Sequence, residues 1–329
     1  MKGVLLIHTG SPESDNPIDL KKFQQEILKD PFVIHPEHGI PEFTSEHSHS
    51  NHDGLSFHEI AKSFQNKILQ HNKSPVAFAM HYGNPSIESG FRDLEARGVK
   101  EILALPFYPQ YATSTVGSVI QKVEDIRDSY FPEMEIDYID AYYDRLEYIE
   151  VMAESILRAV DNIDETHIVF SYHGVPEYFS MERDFFKNQC TLEGTCCNPS
   201  QENHNLCYKK QCRETSELIA EKLGLKSDVY TTAFQARLGL EPWLKPSTKN
   251  TIKKLAKKGI KNLVLVSPGF SIDCPDTITM ASVGESIFKT AGGKTFTAIP
   301  CLNDSDAWID VVSRWIFRWR IIDFKTAIA

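Results

Sequence analysis

The sequence predicts an α/β protein made of two doubly wound parallel sheets. Three observations lead there. Short β-prone apolar runs (residues 4–7, 75–80, 101–105, 136–139, 168–170, 229–233, 262–266 and 296–299) alternate with stretches at helical spacing. Such alternation suits a parallel sheet covered on both faces. The scheme runs twice, once in each half of the chain, so a cleft between two domains is expected. Residues able to do chemistry gather where the strands stop, the rim at which open α/β sheets take ligands.

Composition sets the outer limits. A chain of 329 residues is long enough for two sizeable cores. Its 41% hydrophobic and 24% charged residues are ordinary for a globular protein. A net charge of −10 argues against a nucleic-acid binder, which needs a basic face to neutralise phosphates. The apolar run at residues 4–7 is too short for a signal peptide, and no run approaches the ~18 apolar residues of a membrane span. A cytoplasmic protein is expected.

Taken in order, the first strand closes at Thr9-Gly10-Ser11-Pro12, and Leu20, Phe23, Ile27 and Leu28 mark the first helix. Lys29-Asp30-Pro31 ends it. Residues 36–53 are polar and, with their flanks, rich in histidine: His35, His38, His47, His49, His52 and His58. Such a tract can bind metal, but these histidines have no regular ligand spacing, so a loop is expected. A helix at 57–69 precedes the strand ending in His81-Tyr82, and a helix at 87–97 stops at Gly98. The strand at 101–105 runs into Pro106-Phe107-Tyr108-Pro109-Gln110-Tyr111, after which Thr113-Ser114-Thr115 should cap a helix at 116–127.

In the second half, a helix at 145–160 leads to the strand Ile168-Val169-Phe170, which Gly174 and Pro176 break off just past His173. His173 therefore stands at a strand's C-terminal end, where an imidazole can take a proton or bind a metal; a histidine merely satisfied at a strand end would look the same. Helices are expected at 214–223, 248–258, 277–290 and 303–317. Neither a G-x-G-x-x-G nor a P-loop sequence occurs, so the α/β pattern does not signal a nucleotide site.

Five of the seven cysteines fall in one stretch: Cys190, Cys196, Cys197, Cys207 and Cys212. In a cytosolic chain such a group reads as an iron–sulfur or zinc site rather than disulfides, with plain thiols as the remaining reading. Cys274 and Cys301 read as small buried apolar residues. Elsewhere on the strand-end rim, Tyr82, Tyr108 and Tyr111 suit a flat apolar ligand, and Arg237 with the hydroxyls of residues 113–115 suits carboxylates. His173 facing Asp273 or Asp276 would pair a base with acids.

Together these motifs resemble the ferrochelatase family, along nearly the whole chain. The resemblance is carried by Phe170-Ser171-Tyr172-His173-Gly174-Val175-Pro176, by Leu105-Pro106-Phe107-Tyr108-Pro109-Gln110-Tyr111-Ala112-Thr113-Ser114-Thr115, and by Phe234-Gln235-Ala236-Arg237-Leu238-Gly239 with Pro242-Trp243-Leu244. Ser267-Pro268-Gly269-Phe270 with Asp273-Cys274, and Pro300-Cys301-Leu302-Asn303-Asp304, complete it. It implies two Rossmann-like chelatase domains without nucleotide: residues 1–145, and residues 146–304 with the cysteine-rich insert at 190–212. A closing helix at about 305–322 would pack back on the first domain. It also implies a porphyrin cleft, ferrous iron as substrate, and peripheral contact with the inner face of a membrane.

By that likeness His173 is the active-site histidine, with Asp276 and Asp273 as its acids. Thr9, Tyr82, Tyr108, Tyr111, Ser114, Gln235 and Arg237 would hold the porphyrin. His173 and Asp276 would meet the incoming ferrous ion. The chain departs from the family at three points: Asp276 stands for a glutamate, Met280 for the next acidic residue, and His81 for an arginine. An aspartate retracts the carboxylate by roughly an ångström or more. Thr9 replaces the tyrosine that accompanies coproporphyrin use, which leans the substrate towards protoporphyrin IX. Some family members hold a 2Fe–2S cluster, and only the internal type fits a chain with no cysteine after Cys301; four of the five clustered thiols would ligate it. The alternatives are a porphyrin- or haem-binding homologue weakened in catalysis, and a cobalt chelatase of related fold, against which the 234–238 motif argues.

Overall fold

In the computed structural model of the protein, the described residues are 1–14, 16–33, 57–177, 206–235 and 242–321. Their strands form two four-stranded sheets. The first holds β1 (Lys2–His8), β2 (Val76–Met80), β3 (Glu101–Pro106) and β4 (Glu135–Tyr138) in the order β2-β1-β3-β4. The second holds β5 (His167–His173), β6 (Tyr230–Gln235), β7 (Asn262–Val266) and β8 (Thr295–Ala298) in the order β6-β5-β7-β8. Every pairing is parallel. Both sheets thus share one topology, the expected α/β doubly wound class. In each, the order reverses between the first strand and the third, and ligands bind at such switch points.

The helices that cover the sheets are α1 (Pro17–Leu28), α2 (Phe57–His71), α3 (Ile87–Ala96), α4 (Ser118–Tyr130), α5 (Leu146–Ala159), α6 (Tyr208–Lys222), α7 (Thr248–Lys257), α8 (Pro275–Thr290) and α9 (Asp306–Ile321). Most bury one stripe. In α2 it is Phe57, Ile60, Ala61, Phe64 and Ile68, at the spacing of a single helical face. Helix α1 is different: Asn16 caps it through bonds from the Ile18 and Asp19 amides, both 2.9 Å, yet none of its residues is fully buried.

Several element boundaries differ from the expectation, and three have a clear physical reason. Helix α6 starts at Tyr208 rather than 214, because its buried stripe is Tyr208, Cys212, Thr215, Ser216 and Ile219, regular in spacing but mostly polar in sequence. Helix α8 starts at Pro275, with Cys274 as its N-cap and Thr277 closing a capping box. The hydroxyl residues at 113–115 do not cap α4. They form a π-helical turn, Thr113–Gly117, that feeds into it. Such turns concentrate at functional sites.

One core cluster runs through both halves, from Val4 and Leu6 through Ile168 and Phe170 to Trp308, Trp315 and Trp319. Helix α9 packs on α2 and α5. It is tied to the first sheet by the Trp319 indole, which donates to Asp137 at 2.7 Å, and to α2 by Lys67 and Asp306 at 2.9 Å. Buried polar bonds stitch the halves at the rim: Gln110 to Thr215 at 3.1 Å and to the Pro268 carbonyl at 3.3 Å, and Tyr142 to Ser271 at 2.6 Å.

Trp308 is fully buried, with its ring against Tyr142, Tyr148 and Trp315. Trp308→Ala leaves a cavity there and should destabilise the fold by about 3–5 kcal/mol. Urea unfolding followed by circular dichroism measures this; an unchanged midpoint would mean that α9 does not bind the halves together.

Candidate active site

A cleft of about 1340 Å³, solvent at its mouth included, opens where the two sheets' switch points meet. Thr9 and Gly10 enter it from the end of β1, Tyr108 and Gln110 from β3, His173 from β5, and Gly269 and Phe270 from β7. Tyr82 comes from the end of β2, Ser114 and Thr115 from the π-helical turn, and Tyr208 from the start of α6. Helix α1 forms one wall with Leu20, Phe23, Gln24 and Ile27. The lining is mainly apolar and aromatic, with few convergent polar groups, as ligand sites are.

His173 and Asp276 are brought together: Asp276 Oδ2 lies 3.4 Å from His173 Nδ1. Both line the cleft and are partly exposed. Asp276 sits in the first turn of α8, where the helix dipole favours a carboxylate's charge. The backbone behind His173 is held firmly, since its carbonyl accepts the Tyr208 hydroxyl at 2.8 Å and β5 pairs His173 with Gln235. Burial keeps the Tyr208 phenol protonated well past its ordinary range.

Asp273, expected beside Asp276 as a second acid, is put to another use. Its carboxylate accepts Asn303 Nδ2 at 2.7 Å, Thr277 Oγ1 at 2.9 Å and the Cys301 amide at 3.2 Å, tying the loop before α9 to the start of α8. It is not among the residues lining the cleft.

Of the expected porphyrin contacts, Thr9, Tyr82, Tyr108 and Ser114 line the cleft. Thr9 and Tyr108 share a short hydrogen bond between their hydroxyls. Tyr111 and Gln235 are not among the lining residues: the Tyr111 amide donates to Gln211 at 2.7 Å, and buried Gln235 accepts the Ser171 hydroxyl at 2.8 Å. Met280 is buried in the core with Val169, Ile252 and Phe288, away from the cleft. Arg237, the histidines at 35, 38, 47, 49 and 52, and Cys190, Cys196 and Cys197 lie outside the described residues. Cys207 is the N-cap of α6, whereas Cys212 is fully buried in the core, where burial pushes its thiol well above the usual range. Among the described residues no group of three or more His, Cys, Asp or Glu could hold a metal ion.

Sequence reasoning missed a second polar assembly, on the other side of the cleft from His173's sheet. Asp30, two residues past α1, accepts the Tyr82 hydroxyl at 2.5 Å and the Ser118 hydroxyl. His81 Nε2 lies 3.1 Å from Ser118 Oγ and 3.7 Å from Asp30. Lys122 donates to the His81 carbonyl, and Glu26 accepts the Gly83 amide at 2.8 Å. Asp30 looked like a helix stop beside Pro31; only the fold reveals what it faces. Gly10 makes this packing possible: at φ 108°, a Cβ there would overlap the Tyr82 carbonyl oxygen.

The ferrochelatase family profile matches residues 1–318. A ferrochelatase of Opitutus terrae is 32% identical, covering 97% of each chain. The chain belongs to the ferrochelatase family. A ferrochelatase of Pseudomonas fluorescens is 31% identical over 93% of this chain and 94% of the relative. Among solved structures, SirB from Bacillus subtilis with Fe3+ superposes with a TM-score of 0.57 at 13% identity, covering 97% of this chain and 94% of that one. The sirohydrochlorin chelatase SirB from Bacillus subtilis subspecies spizizenii, in complex with cobalt, gives 0.55 at 10% identity, covering 96% and 94%. At such identities the likeness shows the shared fold alone.

In this ferrochelatase-family chain, burial lowers the pKa of His8 and of His81 to about 3, and the charge of Lys122 pushes His81 the same way. Unfolded, each ring takes its proton near pH 6.5. Between those values the unfolded state binds more protons, so this part of the stability is complete above pH 6.5 and declines as pH falls towards 3. The loss is up to about 1.4 kcal/mol per pH unit per ring. Thermal melting from pH 7.5 down to 4.5 should show the decline, and His8→Asn should make it shallower, leaving the share of His81. An equal slope in the variant would mean that His8 takes a proton in the folded state.

Proposed function

We propose that this chain inserts ferrous iron into protoporphyrin IX, giving haem and two protons, as a metal-inserting lyase. The observation that carries this is the His173–Asp276 pair set into an otherwise largely apolar cleft shared by two switch points. A flat macrocycle fits between aromatic and aliphatic walls, and burial of its apolar faces supplies most of its affinity. His173 then accepts a pyrrole proton as iron enters. Asp276 stabilises the imidazolium that forms, a charge balance achieved without solvent reorganisation. The same pair would guide the iron, which here is substrate.

Thr9, Tyr82, Tyr108 and Ser114 would contact the macrocycle directly, with Tyr111 and Gln235 supporting the walls and Arg237 serving a propionate. In this reading Asp273 positions the start of α8 rather than exchanging protons. Residues 1–145 and 146–304 act as two units around the cleft, with residues 305–322 fastening them. The short apolar runs support a cytoplasmic setting, and the family resemblance implies peripheral membrane contact. Among the described residues no helix is long and apolar enough to cross a membrane. The rival reading, a porphyrin-binding homologue without turnover, is favoured by the shorter reach of Asp276.

The cysteine-rich insert belongs to this proposal as the holder of a 2Fe–2S cluster. Such a cluster takes four thiolates, and its bound form supplies one-electron redox chemistry. Cys212 does not fit a thiolate role, being buried in a core that disfavours its charge. Cys190, Cys196, Cys197 and Cys207 would therefore be the four.

Anaerobic assay with ferrous iron and protoporphyrin IX separates enzyme from binder. His173→Ala should abolish turnover while porphyrin binding, read by fluorescence quenching, stays nearly intact. Asp276→Ala should lower turnover, and Asp276→Glu should keep or raise it. A fully active His173→Ala protein would place the chemistry elsewhere.

Protein purified without oxygen should be brown, with about two irons and two sulfides per chain. Cys207→Ser should bleach it, whereas Cys212→Ser should leave the colour. Colourless wild-type protein holding stoichiometric zinc would remove the cluster reading.

A further inference from the structure

Replacing two pyrrole protons by one ferrous ion needs two proton acceptors. The His173–Asp276 pair supplies one, from the end of β5. Tyr82 lines the same cleft from the end of β2, in the other sheet. Its hydroxyl donates to Asp30 Oδ2 at 2.5 Å and also meets the Ser118 hydroxyl, which leaves the phenolic oxygen one further lone pair able to accept. The Asp30 side chain is only 8% exposed. It is fixed from two further directions: the Phe32 amide donates to Oδ1 at 2.7 Å, and the Ser118 hydroxyl donates to Oδ2. The charged and titratable groups around Asp30 are Glu26, His81, Tyr82, Tyr108 and Lys122. Among these described groups Lys122 is the cation, and its Nζ lies 5.7 Å from the centre of the Tyr82 ring.

We propose that Tyr82, positioned by Asp30, is the second proton acceptor of iron insertion. The step rests on the iron-insertion reading above. A pyrrole N–H bond breaks and its proton joins the Tyr82 hydroxyl oxygen. In the same movement the original phenolic proton passes to the Asp30 carboxylate. Tyr82 ends as a phenol and Asp30 as a neutral carboxylic acid. The electron pair left on the pyrrole nitrogen binds the iron. No oxidant or reductant is consumed. After the product leaves, the proton returns along the same two hydrogen bonds to water in the cleft. Tyr82 is then a catalytic residue and Asp30 a positioning residue that also stores the proton.

The test uses the full chain, with anaerobic ferrous insertion into protoporphyrin IX at fixed pH. Asp30→Asn keeps the size of the side chain but cannot take a proton, and it replaces one of the two accepting oxygens by a donating NH2; Tyr82→Phe removes the relaying oxygen. Each should lower kcat about a hundredfold, the usual scale for loss of a general base. The porphyrin KM should stay within about twofold, because uniform binding is untouched. The double variant should be no slower than either single one, since both remove the same relay, and Asp30→Glu should recover part of the rate. Circular dichroism checks that Asp30→Asn folds; if it does not, the kcat–KM split of Tyr82→Phe decides. An Asp30→Asn protein at wild-type kcat, or one with raised KM alone, overturns the relay and leaves Asp30 as an anchor for α1. A wild type that inserts no metal overturns the iron-insertion reading itself, and the relay with it.

Discussion

Two hydrogen bonds to one carbonyl oxygen, that of Pro268, hold the cleft in shape. It accepts Tyr148 from α5 at 2.6 Å and Gln110 from the loop after β3 at 3.3 Å. Gln110 belongs to the first sheet's rim and Pro268 to the second's, so this oxygen joins the two switch points. The residues that follow it, Gly269 and Phe270, line the cleft. A buried carbonyl left without donors is costly. The loop that carries Phe270 is therefore set by the approach of the opposite half rather than by its own sequence. Phe270 in turn meets the His173 ring edge to face, with centroids 6.3 Å apart.

The histidines divide by surroundings rather than by sequence. His8 and His81 stand at strand ends as His173 does, but both are buried and held neutral. His8 packs its ring against Phe57 with centroids 4.4 Å apart, as a core aromatic would. His173 instead opens onto the cleft, with the Asp276 carboxylate 3.4 Å from its Nδ1. Of these three imidazoles at the C-terminal ends of strands, His173 alone lines the cleft.

Strands were the most legible part of the sequence, because apolar β-branched runs bounded by Gly and Pro have little alternative. All eight expected strands occur, and their shared order follows from the repeat of the βα pattern. Helix α6 was legible only in its second half, since its buried stripe of Tyr, Cys, Thr and Ser gives no hydrophobic period. At the site, His173 and Asp276 could be paired in advance from motifs alone. Asp30 could not be, because the contacts that define it come from residues 52 and 88 positions away. The use of Asp273 as a bracket was hidden for the same reason: its partners Cys301 and Asn303 come from the loop before α9.

Helix α1 carries its own consequence. Its apolar residues Leu20, Phe23 and Ile27 face the cleft, and no residue of the helix is fully buried. For this helix the ligand completes the hydrophobic core. A flat apolar guest would give those side chains the contacts that a neighbouring helix gives elsewhere. The helix itself is already formed and fastened, by the Asn16 cap at its start and by the Glu26 bond to the Gly83 amide. A guest would therefore add apolar contacts to a wall that is already in place, so its affinity would draw on this one helix face.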